Sequence, residues 1–184
     1  MRLVTRGVIS LALAAFCLAS AAAQTKDTFT GTASVKRGAV SASAPVSVTI
    51  SKYATETDIE TVRKAAKAGG SPALRKTLSA LGDAGFIQVG ERRTAIKFAA
   101  NRSTGSGRLI TILTAEPILY LGAGIPAAKP REGFDVGIAM LDLDQKGGKG
   151  ELAPAAKVNI DDGGAIVIED YGATVVWLAD LARK

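Results

Sequence analysis

Two aspartates, Asp142 and Asp144, stand directly before the glycine-rich segment 146–150 and have the chemistry to begin a Ca²⁺ loop. Such a loop requires further oxygen ligands within a few residues. Lys146 and Lys149 occupy the positions where those ligands would be needed. We therefore predict that the two aspartates belong to the solvated end of a hairpin and not to a metal site.

Glu169 and Asp170 form an acidic pair beside Tyr171. Two carboxylates can hydrolyse a glycosidic bond only when they face each other across a cleft. Adjacent residues of a strand point to opposite faces of the sheet, so Glu169 and Asp170 cannot supply both carboxylates of one site. Because aspartate and glycine favour turns, we interpret this segment as a turn or the end of a strand.

Ser103 and Ser106 lie close in sequence to two basic residues, Arg102 and Arg108. A serine nucleophile needs a neighbouring base, which can be a lysine. Neither serine has a lysine at the S-x-x-K spacing that would bring the two groups together. The turn-forming composition instead predicts a polar hairpin connection over residues 101–107.

The chain contains no histidine, and its only cysteine is Cys17. Ser-His-Asp and Cys-His catalysis therefore lack their side chains, as do the common zinc, copper, haem and iron–sulfur sites. No phosphate-binding glycine motif occurs in a suitable context. We assign no catalytic, metal or cofactor-binding residue and expect no cofactor. The dispersed aromatic residues, Trp177 among them, are expected to pack in the core.

The first residues have the three parts of an export signal. Arg2 and Arg6 precede an apolar run over residues 8–15, and a stretch of small residues ends at Ala23. This pattern predicts a signal peptide over residues 1–23, cleaved near Ala23. The apolar run is shorter than the ~20 residues that a membrane-spanning helix needs. We therefore expect a periplasmic or secreted protein without a membrane span.

The remaining residues, 24–184, have the length of one domain. Part of the formal charge of +6 belongs to the two arginines of the leader, and the other basic residues are scattered along the chain. A nucleic-acid interface would require those residues to cluster on one surface. We therefore expect no nucleic acid among the partners, and the oligomeric state is left open.

Most of this domain has the alternating apolar pattern of strands with one buried face. Residues 29–35 and 46–50 alternate in this way. Further strands are predicted at 85–90, 94–102, 108–115, 117–122, 135–144, 151–160, 164–170 and 173–181. Short polar connections between them predict antiparallel pairing.

A helical pattern interrupts the strands. Thr57 and Glu60 fit a capping box at the start of a helix over 56–69, which Gly69-Gly70 would end. Ser71-Pro72 would then begin a second helix over 71–82. The sequence thus predicts a two-helix hairpin.

The strand predicted at 135–144 does not alternate simply, because Leu141 and Leu143 have the parity opposite to that of Val136 and Ile138. Either a β-bulge near Met140 shifts the parity, or the sheet is covered on both faces. We predict an α+β fold: a curved antiparallel sheet or open barrel of about ten strands, with the two-helix hairpin packed on it.

From about Phe29 to Lys184 the chain resembles a family of secreted bacterial proteins to which no activity is assigned. The most specific segments of this resemblance are Gly148-Lys149-Gly150-Glu151, Pro154-Ala155-Ala156-Lys157-Val158 and Ile168-Glu169-Asp170-Tyr171-Gly172. The resemblance implies a stand-alone exported domain and brings no catalytic residues.

We therefore expect an exported, non-enzymatic domain that binds a protein partner or a small apolar ligand in or beside a curved sheet. An enclosed apolar pocket would favour the ligand, whereas a fully packed interior would favour a partner or a structural role. The alternative is a carboxylate-dependent hydrolase acting on envelope polysaccharide, which requires two carboxylates about 5–10 Å apart in a cleft.

Overall fold

The computed structural model describes residues 26–37, 39–118, 132–160, 166–170 and 176–184. The predicted signal peptide, most of the strand predicted at 117–122, and Tyr171 lie outside the described residues. Within these ranges the chain forms ten strands and one helix. The strands are β1 (Asp27–Arg37), β2 (Val40–Ile50), β3 (Gly85–Val89), β4 (Arg92–Ile96), β5 (Phe98–Ser103), β6 (Arg108–Thr114), β7 (Val136–Leu143), β8 (Gly148–Ile160), β9 (Ile166–Asp170) and β10 (Val176–Arg183). The helix is α1 (Glu56–Ala80).

The strands form one antiparallel sheet, in which nine follow the order β4-β3-β2-β1-β10-β8-β7-β6-β5 and β9 pairs with β8 off this path. The two ends of this order, β4 and β5, are consecutive in the chain and separated only by Lys97. The backbone N–H of Lys97 donates to the carbonyl of Leu113 in β6, and Ile96 accepts from Ala84 beside β3. The single strand predicted at 94–102 is therefore two strands, and the bend between them brings the sheet round until it is nearly closed.

The nearly closed sheet encloses a core of apolar, mostly aliphatic side chains. Its members alternate along the strands with residues on the outer face, as the period-two patterns predict. Their side chains are almost without solvent contact; they include Phe29, Val48, Ile50, Ile87, Ile96, Ile110, Ile112, Leu141, Leu152, Leu178 and Leu181. The interior is thus occupied by the protein's own side chains.

The irregular apolar pattern of β7 arises because this strand is covered on both faces. Its residues alternate regularly, with Ala139 and Leu141 in the enclosed core and Val136 and Ile138 under α1. Met140, beyond the reach of the helix, is exposed. Of the two alternatives, cover on both faces is confirmed, and no shift of parity occurs near Met140.

The predicted two-helix hairpin is not supported as two separate helices, because Glu56–Ala80 forms a single helical element. Gly69 and Gly70 interrupt it with non-helical backbone angles. Its flanking residues lie side by side, since the Ser51 N–H donates to the Ala84 carbonyl at 2.7 Å. The capping box also differs from the prediction: Thr55 and Asp58 form it, with the Asp58 N–H donating to the Thr55 hydroxyl at 3.2 Å. Within the described residues, no helix combines the length and apolar character needed to cross a membrane.

The interruption of α1 lies directly against β8. The Ser71 hydroxyl, predicted as a helix cap, instead accepts a hydrogen bond of 2.6 Å from the backbone N–H of Val158. Gly70 has a φ of +57°, and a Cβ there would lie 2.5 Å from the Val158 carbonyl oxygen. Glycine is therefore required at residue 70 both by the backbone angle and by the close approach to β8.

β8 is long enough to pair with different strands along its length. Its first residues pair with β10 and its last five, Ala156–Ile160, pair with β9. An extra residue at Pro154-Ala155 forms a bulge against β7, a position where a strand tolerates proline. β9 therefore lies at the opposite end of β8 from Gly148.

Candidate binding site at one end of the sheet

Asp142 and Asp144 belong to the β7–β8 hairpin, as predicted. One Asp144 carboxylate oxygen accepts hydrogen bonds from the backbone N–H groups of Lys146 (2.7 Å) and Gly147 (2.9 Å), which stabilises the turn. Asp142 is exposed and lies opposite Lys149 in register. Among the described residues, no group of three histidine, cysteine or acidic side chains could hold a metal ion.

The other two candidate groups also lie at the ends of strands. Glu169 is in β9, where its carboxylate accepts a hydrogen bond of 2.9 Å from the Asn159 amide. Asp170 is the last residue of β9, and Ser103 is the last residue of β5. The turn after Ser103 is closed by the Thr104 N–H, which donates to the Gly107 carbonyl at 2.9 Å. Ser106 lies in this turn and lines the same open cleft as Lys146 and Lys149.

Trp177 is an exception to the expectation that the aromatic residues pack in the core. Phe29 and Phe98 are buried, but the Trp177 side chain is 55% exposed on the outer face of β10. Its neighbours Val176 and Leu178 take the buried positions of that strand. Parity, and not residue type, decides which side chains enter the core here.

The structure brings together one group of polar side chains that the sequence patterns did not single out. Asp27 is only 3% exposed, yet it carries a carboxylate. One carboxylate oxygen, Oδ2, accepts from the Tyr53 hydroxyl at 2.7 Å and from Arg108 Nη1 at 2.9 Å. The other, Oδ1, lies 2.7 Å from Arg183 Nη2. We call these four residues the Asp27 cluster.

Four separate elements position the cluster at one end of the sheet. Asp27 begins β1, Arg108 begins β6 and Arg183 ends β10, while Tyr53 follows β2. Asp27 shares the enclosed face of β1 with Phe29, because residues two apart in a strand point to the same side. The strand ends therefore meet where the enclosed core stops, and the cluster covers that core.

The electrostatics of the cluster favour the ionised form of Asp27. Burial acts to raise the pKa of this carboxyl, but the hydrogen bond from Tyr53 and the charges of Arg108 and Arg183 outweigh it, so the pKa lies below its ordinary 3.8. Burial, with the hydrogen bond to Asp27, raises the pKa of Tyr53. Tyr53 is thus held as a neutral donor and Asp27 as an anion.

A cleft of about 410 Å³ opens beside the cluster. Its basic side chains are Arg108, Arg183 and Lys146, and its apolar lining comes from Phe29, Leu143 and Leu181. The Arg108 guanidinium also lies over the Phe29 ring, 5.3 Å from its centre. Only Asp144 among the lining residues is acidic. With Asp27 included, three basic and two acidic side chains give the cleft a net charge of +1.

The guanidinium groups of Arg108 and Arg183 have N–H donors that their contacts with Asp27 do not use. Each guanidinium has five N–H donors. The contacts to Asp27 engage one nitrogen of Arg108 and one of Arg183. An anionic group with two or three oxygens could therefore bind both arginines without displacing the Asp27 carboxylate.

A sequence signal for Asp27 exists. Residues 27, 29, 31 and 33 lie on one face of a strand, and the others on that face are Phe29, Gly31 and Ala33. A carboxylate on an otherwise apolar face implies a buried ionic partner. The partner itself was beyond prediction, because Arg108 lies 81 residues away and no local pattern connects the two.

Comparison of the chain with protein-family models, with curated proteins and with solved structures finds no match.

Proposed function

We propose that this protein is an exported, non-enzymatic binding domain that holds a small ligand in the cleft beside the Asp27 cluster. The ligand has an apolar body and one anionic group, a carboxylate or a phosphate. The observation that carries the proposal is the meeting of two arginines in one cleft, over a floor formed by Phe29, Leu143 and Leu181. Export rests on the sequence of residues 1–23.

The packed core favours this position over one inside the sheet. Side chains such as Ile110, Leu141 and Leu178 fill the interior, so an apolar ligand would have to displace them. At the cleft, a ligand would lie over the core without entering it, against the small exposed edges of Leu143 and Leu181.

The test is a titration of the ¹⁵N-labelled protein with octanoate and, separately, with octan-1-ol, followed by NMR. We expect octanoate to shift the backbone signals of Leu143, Gly147 and Leu181, and octanol to bind more weakly because it lacks the anion. Replacing Arg183 by Gln removes one charge-assisted contact and should weaken octanoate binding ~10-fold.

The matched control is Arg102→Gln, which removes the same charge from an exposed residue of β5 outside the cleft. Octanoate binding should be unchanged in this variant. Equal weakening in both variants would mean that octanoate responds only to net charge, and shifts centred on Trp177 and Met140 would place the binding surface elsewhere. Either result would contradict the proposal.

A second candidate function is the carboxylate-dependent hydrolase. One observation favours it: Asp142 and Asp180 line the same open cleft of about 680 Å³. Asp180 has a φ of +53°, an unusual angle for a residue other than glycine. Release of reducing ends from a purified envelope polysaccharide, abolished by Asp180→Asn, would support this function. A wild-type protein that releases no reducing ends would contradict the hydrolase function.

A further inference from the structure

Two large apolar side chains, Trp177 and Met140, are exposed on the outer face of the sheet, at 55% and 40%. Glu151 of β8 lies between them in register, opposite Trp177 of β10 on one side and opposite Met140 of β7 on the other. Directly opposite residues of antiparallel strands point to the same face, with Cβ atoms about 4.5–5.5 Å apart. These three side chains therefore stand side by side, and we call them the Trp177 row.

Glu151 gives the Trp177 row a negative charge. Among the residues that the structure describes, none forms an ion pair or a side-chain hydrogen bond with its carboxylate. Lys149, two residues along β8 on the same face, lies opposite Asp142 in register, so these two charges offset each other. The Glu151 carboxylate thus remains uncompensated between an indole ring and a thioether.

The position of the Trp177 row favours a protein as its partner. The three strands that carry it are consecutive in the sheet and paired on both sides, so recognition there must use side chains and not a free backbone edge. The outer face of a nearly closed sheet is convex, whereas small ligands bind in concave sites. Tryptophan and methionine are also enriched in protein–protein interfaces.

From these observations we infer that the Trp177 row is a docking surface for another protein, which places an arginine side chain over Trp177 and against Glu151. The charge of Glu151 selects a cation, and tryptophan is the aromatic residue that attracts a cation most strongly. Arginine fits both groups at once, because its planar guanidinium stacks on an aromatic ring and donates two parallel hydrogen bonds to a carboxylate. The ammonium of lysine is a point charge and lacks this geometry.

The chain itself contains the same kind of stacking. The guanidinium of Arg93 lies over the ring of Phe86, 3.4 Å from its centre, on neighbouring strands of the sheet. Trp177 offers a larger ring, and no described residue supplies a cation to it. The arginine that completes the arrangement therefore comes from the partner.

The Trp177 row is independent of the cleft of the proposed function. Trp177 points outward from β10, while its neighbours Val176 and Leu178 point into the core. The cleft is lined by other residues, among them Arg108 and Arg183. Binding at one site can therefore be lost without loss at the other.

The test is an NMR titration of the ¹⁵N-labelled protein with a short capped peptide that has a central arginine flanked by leucines. The chain has one tryptophan, so the indole N–H signal reports on Trp177 alone. We expect the arginine peptide to shift this signal with a Kd on the order of 1 mM. A matched peptide with citrulline, which is uncharged, should bind about 10-fold more weakly. Equal shifts with both peptides, or none with either, would overturn the inference.

Glu151→Gln should weaken binding of the arginine peptide about 10-fold, because it removes the charge that engages the guanidinium. The matched control is Glu91→Gln, the same change at an exposed residue of the β3–β4 turn, and it should leave the affinity unaltered. Equal weakening in the two variants would mean that the peptide responds only to net charge, and would contradict the inference.

Two further controls identify other occupants of the same face. A cello-oligosaccharide is a neutral probe, and it should leave the indole signal in place. Dilution of the protein without peptide should also leave it in place. A shift caused by the oligosaccharide in a protein that ignores the arginine peptide would assign the Trp177 row to carbohydrate. A shift on dilution would assign it to a second copy of the chain. Either result would overturn the inference.

Discussion

Asp27 joins the ends of four elements through its two carboxylate oxygens. Arg108, three-quarters of whose side chain is buried, depends on this carboxylate for a counter-ion. Asp27→Asn should therefore lower the free energy of unfolding by about 2–3 kcal/mol, since it leaves a largely buried arginine without its partner. Urea unfolding at neutral pH measures this loss.

The control for that loss is Asp83→Asn, which breaks the pair between Lys97 and Asp83. The Asp83 side chain is 64% exposed, and such surface pairs contribute about 0.5 kcal/mol. An equal loss of unfolding free energy in the two variants would mean that Asp27 contributes no more than an exposed charge.

The ionisation of Asp27 also makes stability depend on pH. Because its pKa is lower in the folded protein than the ordinary 3.8, the unfolded chain takes up the proton first as the pH falls. The contribution is thus complete at pH values well above 3.8 and is lost as the pH falls through the folded pKa. The difference in unfolding free energy between wild type and Asp27→Asn should shrink below about pH 4. A difference that stays constant down to about pH 2 would mean that Asp27 is not the group that titrates.

Glycine decides the form of the helix. Gly69-Gly70 suggests a helix end, and the sequence therefore predicted a hairpin. In the structure Gly70 also serves a contact, since it lets the helix backbone approach β8. Local propensity gives the place of the interruption correctly, but not the single helical element or the packing of Leu74 and Leu78 against the sheet.

This interpretation predicts different effects of alanine at two glycines, Gly70 and Gly82. Gly70→Ala should cost about 1–3 kcal/mol of stability, because alanine meets both a positive φ and the Val158 carbonyl. Gly82→Ala should cost nothing, because a Cβ there has no atom within 4 Å. Urea unfolding of the two variants checks this. A similar loss in both would show that the approach to β8 is unimportant.

Alternation along the strands made most of the sheet predictable, including about ten strands and their antiparallel pairing. The near-closure of the sheet was harder to predict, because it depends on the bend at Lys97 and on contacts between strands far apart in the chain. The same is true of the Asp27 cluster, which forms only when β1, β6 and β10 come together. Local patterns fix elements, whereas contacts distant in sequence fix the site.

The packing of the whole molecule can be tested at two neighbouring residues of β7. Leu141 is fully buried in the enclosed core, while Met140 is exposed on the outer face. Leu141→Ala should cost about 3 kcal/mol by leaving a cavity. Met140→Ala should change stability by no more than about 0.5 kcal/mol. Equal effects in unfolding experiments would mean that the interior is not packed in this way.

The central claim is that the cleft beside the Asp27 cluster holds an acidic ligand with an apolar body. Native mass spectrometry of the exported protein tests it most directly, by comparing wild type with Arg183→Gln. We expect an excess mass on the wild type that is lost on denaturation and is much reduced in the variant. The same excess mass on both proteins, or a bare polypeptide mass for both, would contradict the claim.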